Sequence, residues 1–289
     1  MKRRVSLVVT DLDNTLWDWV AIWYAGFSAM LDDLVATSGF PRELLEAQIK
    51  GVYEAHGTSE YAFLIEELPC LREKNPTDDL TLVYASAIEA YRTARRRVVR
   101  LYEGVEGTLT ELKRIGCPVV AYTESLGFYT MTRLKGMGLD GLLAAVYSPP
   151  DHAAPEDLRR HYDDAHYRLG LTVHRFTPPG ELKPNPDILL SIIRDSGLAV
   201  TPGSTIYVGD SLIKDISMAQ GAGVADVHAA YGLSQHTEAY EALRRVTHWP
   251  AADVEKERVV LAGATITPAY VLGRSFEEIL DLFDFTSTA

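Results

Sequence analysis

Cysteine is nearly absent: Cys70 and Cys117 are the only two among 289 residues. That excludes a disulfide framework and fits a reducing compartment. Long apolar runs are missing as well. No stretch approaches the roughly 18 apolar residues of a membrane-spanning helix. The first apolar stretch, Val5 to Val9, meets Thr10 and Asp11 too soon for an export signal. A soluble, cytoplasmic protein is expected. Positive charge is also in deficit, with 28 Lys and Arg against 40 Asp and Glu and a formal net charge of -12. So acidic a chain argues against nucleic acid as partner, because phosphate backbones are held by clustered cations. The 47% of apolar residues can bury a sizeable core without staples, as one large domain or two ordinary ones.

What is present is alternation. Val5 to Thr10, Cys117 to Tyr122 and Ser204 to Val208 are short, apolar, β-rich stretches of the kind buried on both faces of a parallel sheet. Helical periodicity runs over Gly107 to Ile115, Ser125 to Gly136, Pro186 to Gly197 and Leu212 to Gly221. Strands alternating with helices imply an α/β fold with a doubly wound, Rossmann-like parallel sheet. Ligands of such sheets sit beyond the carboxyl ends of the strands.

Two stretches break the pattern. Residues 17–103 read as helix after helix: Trp17 to Ser38, Pro41 to His56, Glu60 to Leu71 and Thr77 to Leu101. An inserted all-helical lobe is expected there, leaving residues 1–16 and 104–289 as the α/β core. Within that core, residues 148–182 form a second insertion, opened and closed by proline pairs around an expected helix from Pro155 to Leu169. A last strand, Ala269 to Leu272, and a closing helix, Ser275 to Phe283, complete the reading.

The polar clusters fall where the strands end. Asp11 and Asp13 follow the first strand, Thr123, Glu124 and Ser125 the second, Asp210 and Ser211 the third, with Asp215 beyond. Carboxylates meeting at one edge repel one another unless a cation sits among them. Because the candidate ligands are all oxygens, with no Cys or His cluster beside them, that cation is expected to be Mg²⁺. Thr123, the amides opening the next helix and Lys183 add donors that suit a phosphate.

This ordered set resembles the four motifs of the haloacid-dehalogenase-like superfamily: DLDNTL (Asp11 to Leu16), VVAYTES (Val119 to Ser125), ELKPNPD (Glu181 to Asp187) and VGDSLIKD (Val208 to Asp215). The resemblance covers the sheet domain, and residues 17–103 sit where some members carry a helical cap between the first and second motifs. It implies a Mg²⁺-dependent phosphatase of small phosphorylated metabolites. Asp11 would be the nucleophile that forms an aspartyl-phosphate, and Asp13 the acid, then base. Asp11, the backbone carbonyl of Asp13, and Asp210 would hold the metal, with Asp215 behind them. Thr123, Glu124 and Lys183 would line the phosphate site. Dehalogenase members generally lack the second acid of the first motif, so Asp13 favours phosphate chemistry. Two alternatives stay open: a phosphotransferase or mutase using the same intermediate, and a catalytically silent regulatory protein.

Other features receive plainer readings. Trp17, Trp19, Trp23, Tyr24 and Phe27 are expected as the core of the helical lobe, and Arg92, Arg95, Arg96, Arg97 and Arg100 as a solvated helix end. Asp187 reads as a helix cap. Gly209 is expected to relieve crowding at its turn. His152, His161, His166 and His174 lack the spacing of a metal site.

Overall fold

A computed structural model describes residues 2–151, 168–197, 199–232, 238–250 and 266–288. The chain divides into two compact units, one comprising Met1–Asp18, Arg100–Leu233 and Val260–Ala289, the other Trp19–Val99 and Ser234–Val259.

The first unit is built on parallel strands: β1 Arg3–Val5, β2 Leu7–Thr10, β3 Val119–Tyr122, β4 Ala145–Ser148, β5 Val173–Phe176, β6 Thr205–Gly209, β7 Ala225–Ala229, β8 Tyr270–Leu272 and β9 Phe283–Phe285. Seven form one sheet in the order β5-β4-β3-β2-β6-β7-β8, all pairs parallel. The expected first strand is split. β1 leaves the sheet at Ser6 and pairs with β9, and only β2 enters the centre. From β2 the chain builds outward through β3, β4 and β5, then returns to β6 on the other side of β2. That reversal is the topological switch point, where such sheets bind ligands. Register brings the motifs level, since Thr10 lies opposite both Ala121 and Val208.

The helices, in chain order, are α1 Trp19–Ser38, α2 Arg42–His56, α3 Leu64–Glu67, α4 Pro69–Lys74, α5 Leu80–Val83, α6 Ala85–Val98, α7 Val105–Ile115, α8 Gly127–Gly136, α9 Pro186–Asp195, α10 Ser217–Gly221, α11 Glu238–Val246 and α12 Ile279–Leu282. On one face of the sheet, Leu7, Val9, Val120, Tyr122 and Tyr207 pack with Ile188, Leu189 and Ile192 of α9 and Met218 and Ala219 of α10. Asn185, rather than Asp187, caps α9, accepting the Ile188 amide at 3.1 Å ahead of Pro186 at the first helical position.

In the helical unit, α1 turns Val20, Trp23, Phe27, Met30, Leu31 and Leu34 inward at helical spacing. Trp23 stacks on Phe27 at 4.5 Å, as expected of lobe core. Gly26 lets α6 approach, because a Cβ there would lie 2.7 Å from the ring of Tyr91. Several expectations are corrected. The single helix over Glu60 to Leu71 is two, because Pro69 has no amide to continue a helical ladder and instead starts α4. Thr77 to Leu101 likewise divides into α5 and α6, and the closing helix is a single turn at Phe276–Glu278 followed by the four-residue α12. α11, assigned from sequence to the core, belongs with the helical unit. Ser59 ties its far end, with Oγ 3.0 Å from both Thr247 Oγ1 and His248 Nδ1. Arg96 pairs with Glu89 at 2.6 Å on the exposed surface, as a solvated arginine end should. The helix expected from Pro155, with His152, His161 and His166, lies outside the described residues. Among these no helix is long and apolar enough to cross a membrane.

Candidate active site

β2, buried along its whole length, delivers Asp11 to the switch point, and the Asp11 amide donates to the carbonyl of Val208 at 2.8 Å. The chain then turns tightly. Leu16 N returns to Leu12 O at 2.8 Å, and Asn14 takes the left-handed conformation at φ 59° that asparagine tolerates. A second close approach fixes this turn: a Cβ at Gly232 would lie 1.7 Å from the carbonyl oxygen of Asn14, so only glycine fits there.

Around Asp11 gather the acids that sequence separates by two hundred residues. Oxygens of Asp11, Asp210 and Asp215 all lie within 4.8 Å of one another. Lys183, itself buried, joins two of them, donating to Asp11 Oδ1 and, at 2.9 Å, to Asp215 Oδ1. Its ammonium also lies 5.0 Å from the ring of Tyr122 and 5.6 Å from that of Tyr207, whose faces favour a cation. Tyr207 donates its hydroxyl to Asp215 Oδ1 at 2.8 Å, and the Ser211 amide donates to Asp215 Oδ2 at 3.1 Å. Asp215 reaches this position from a single wide turn, Leu212–Ile216, capped by Ser211 on the Lys214 amide. Gly209 makes room for it, since a Cβ there would stand 2.4 Å from Asp215 Cγ.

Electrostatics mark this cluster as short of positive charge. Burial, then Asp215 and Asp13, push the Asp11 carboxyl up to about 7 against the pull of Lys183. Asp210 is also raised well above the usual carboxylate range, by burial first and by Asp215 and Asp11 next. Burial alone would lower the Lys183 ammonium, yet the carboxylates of Asp11 and Asp215 hold it well above its ordinary value. Carboxyls held high beside a permanent cation mark a cluster lacking a further counterion. An all-oxygen donor set of this kind fits a small hard divalent cation.

Asp13 has different company. Its carboxylate accepts from Trp17 Nε1 at 2.7 Å, from the Ser125 hydroxyl, and from Arg133 Nη1 at 3.5 Å. The side chain is thus directed to these donors, and its carboxylate is not one of the three clustered acids. Thr123 is buried, and its hydroxyl accepts the Ser125 amide at 3.0 Å, leaving its own proton to donate. Glu124, expected to line the phosphate site, turns its carboxylate to other work. It accepts the Lys183 amide at 2.8 Å and the Lys214 ammonium at 2.6 Å. An ionised carboxylate repels a phosphate, so its side chain acts as a brace for the lysines, and only its amide remains for an anion.

Residues 5–223 match the family profile of the haloacid dehalogenase-like hydrolases. The chain belongs to that family. It is also 27% identical over 238 residues to the glyceraldehyde 3-phosphate phosphatase of Methanopyrus kandleri, spanning 81% of this chain and 88% of that protein. Among solved structures it resembles a magnesium-bound haloacid dehalogenase-type hydrolase of Bacillus subtilis, at a TM-score of 0.52 and 15% identity over 98% of this chain and all of that one. A phosphatase of the same superfamily from Thermococcus onnurineus gives the same TM-score at 19% identity, over 96% and 97% of the two chains. At such identities these two likenesses speak for the fold.

Four contributors to this haloacid dehalogenase-like site escaped the sequence reading. Trp17, expected in the helical lobe, lies in the sheet unit, fully buried with its indole on Asp13. Ser125 was visible as part of a polar strand end but carried no assignment. Arg133 had a legible signal, because it shares the inward face of α8 with Tyr129 and Thr130 and is 2% exposed. Tyr207 reads in sequence as an ordinary β-rich strand residue; nothing local shows that its hydroxyl meets Asp215.

Proposed function

We propose that this chain is a Mg²⁺-dependent phosphohydrolase that cleaves a small phosphorylated metabolite through an aspartyl-phosphate on Asp11. The observation that carries the reading is the buried Lys183 ammonium bridging Asp11 and Asp215 beside Asp210. Five carboxylates (Asp11, Asp13, Glu124, Asp210, Asp215) face three cations (Lys183, Lys214, Arg133), so a divalent ion and a phosphate can enter together without gross imbalance. Asp11 and Asp210, with the backbone carbonyl of Asp13, would hold the Mg²⁺; Asp215 would brace it through Lys183. When bound, the ion supplies positive charge to the phosphoryl oxygens and keeps Asp11 ionised.

Asp11 attacks phosphorus as the P–O bond to the leaving alcohol breaks, and Asp13, which enters this step protonated, gives that alcohol its proton. Asp13, now a carboxylate, takes a proton from water, whose oxygen attacks the same phosphorus and releases phosphate and free Asp11. Lys183 and the Thr123 hydroxyl hold the phosphoryl oxygens throughout. The helical unit is proposed as the cap that selects the substrate. The methanopyral relative is named for a triose phosphate, and short-chain sugar and triose phosphates therefore head the substrate panel.

The test is phosphate release from p-nitrophenyl phosphate and from that panel, with and without chelator. Turnover that stops in EDTA and returns with Mg²⁺ is expected. Turnover indifferent to chelation, or none on any phosphate ester, defeats the reading, and transfer to an added alcohol in preference to water marks a phosphotransferase.

A further inference from the structure

A buried guanidinium needs strong partners, since a charge taken out of water is costly unless it is paired. Arg133 lies on α8 with its side chain 1% exposed, and the chemistry above counts its charge but gives it no step. Its Nη1 lies 3.5 Å from Asp13 Oδ1 and 3.3 Å from Ser125 Oγ. Hydrogen-bond polarity then fixes what Ser125 does. A guanidinium can only donate, so the Ser125 oxygen accepts from it and the one hydroxyl proton is committed to Asp13 Oδ2. The Trp17 indole, also a donor only, holds Oδ1 at 2.7 Å. Both oxygens of Asp13 are thereby oriented from outside the first motif.

We propose that Arg133 is a positioning residue for Asp13, acting directly and through Ser125 to hold the carboxylate in one plane. The inference rests on the reading of Asp13 as the proton-transfer group. Both contacts come from one nitrogen, Nη1, whose two protons are fixed in the guanidinium plane, whereas a lysine ammonium rotates freely about its stem. Without it, the Ser125 hydroxyl is free to rotate and the Asp13 carboxylate to turn about its own bond. A misplacement of about 1 Å costs a proton-transfer step on the order of a hundredfold. Arg133 makes no bond to Thr123 or Lys183, so binding of the phosphoryl group should be spared.

The experiment compares the full-length wild type with Arg133→Met, Arg133→Lys, Ser125→Ala, Asp13→Asn and the double variant Arg133→Met/Asp13→Asn, on p-nitrophenyl phosphate and on an unactivated alkyl phosphate. Arg133→Met is expected to lose about 10- to 100-fold in kcat with KM within about twofold. Arg133→Lys should recover part of the loss, and Ser125→Ala should reproduce part of it. The double variant should be no slower than Asp13→Asn alone, because a residue that acts through Asp13 has nothing left to position. Additive losses in the double variant, a raised KM at unchanged kcat, or no recovery with lysine overturn the proposal. Should Arg133→Met fail to fold, Ser125→Ala combined with Asp13→Asn makes the same non-additivity test. A wild type inactive on both esters defeats the functional reading itself, whereas an active wild type with additive variants defeats only the positioning role.

Discussion

Asp11 and Asp13 lie two positions apart in the chain and stand in opposite surroundings. Asp11 is crowded by Asp210 and Asp215, with Lys183 between, and is raised by burial and by its neighbours to about 7. Asp13 is met by an indole, a hydroxyl and a guanidinium, all donors. On the proposed mechanism the same side chain serves two tasks. One carboxylate waits for positive charge and is suited to bind and attack a phosphoryl group held by a cation. Its neighbour is already satisfied and held still, as a group that must meet a proton in a fixed direction should be. Environment, more than residue type, divides the labour.

Substituting each carboxylate is the strongest way to break that comparison. Asp11→Asn removes the proposed nucleophile and is expected to lower kcat on p-nitrophenyl phosphate by at least about 10³-fold. Asp13→Asn should cost about 10²- to 10³-fold, more on an alkyl than on an aryl ester, since a nitrophenolate leaves without a proton. Equal losses on both esters would remove the acid role from Asp13. A smaller effect is expected from Tyr207→Phe, which deletes one of the donors to Asp215. Activity should fall roughly tenfold and stability by about 1 kcal/mol, read by urea unfolding.

The last comparison is one of stability and carries opposite signs on the two sides. Asp11 binds its proton more tightly folded than unfolded, with about 7 against an ordinary 3.8. As pH rises from about 4 to 7 the unfolded chain gives up that proton first, so this group erodes stability across the window. Metal-free Asp11→Asn should thus be more stable than wild type by up to about 4 kcal/mol at pH 7 and by well under about 1 kcal/mol at pH 4. Mg²⁺ should reduce the gap by stabilising the wild type. Asp13→Asn, which loses charge-assisted bonds instead, should be destabilised near pH 7. Thermal unfolding of the three proteins at the two pH values checks both signs.

How far the site could be read in the sequence follows the same division. The acid-rich side was legible because its groups end β2 and β6, where apolar runs stop at polar residues, and because Asp11, Asp210 and Asp215 must converge for any of them to make chemical sense. The donor-rich side was not. Trp17 and Arg133 look like packing residues in their local context, and only the tertiary path of α8 brings Arg133 to Asp13. The fold shows the same limit. Alternation and β-branching announced the parallel sheet, but β1 pairs with β9 across 280 residues, and no local pattern encodes that partner. α11 has a clear inward face of Tyr240, Leu243 and Val246, yet its membership of the helical unit is decided by long-range packing on α1 and α2. Glu60 to Leu71 was misread for a local reason, the proline at 69.

The absence of a side chain at position 232 matters for reading other genomes. With the Asn14 carbonyl pressed against that backbone, a homologue bearing even alanine there must bend the turn after Asp13 differently, however faithfully it preserves every aspartate. A distant, chemically mute residue is therefore a filter to apply beside the acidic signature.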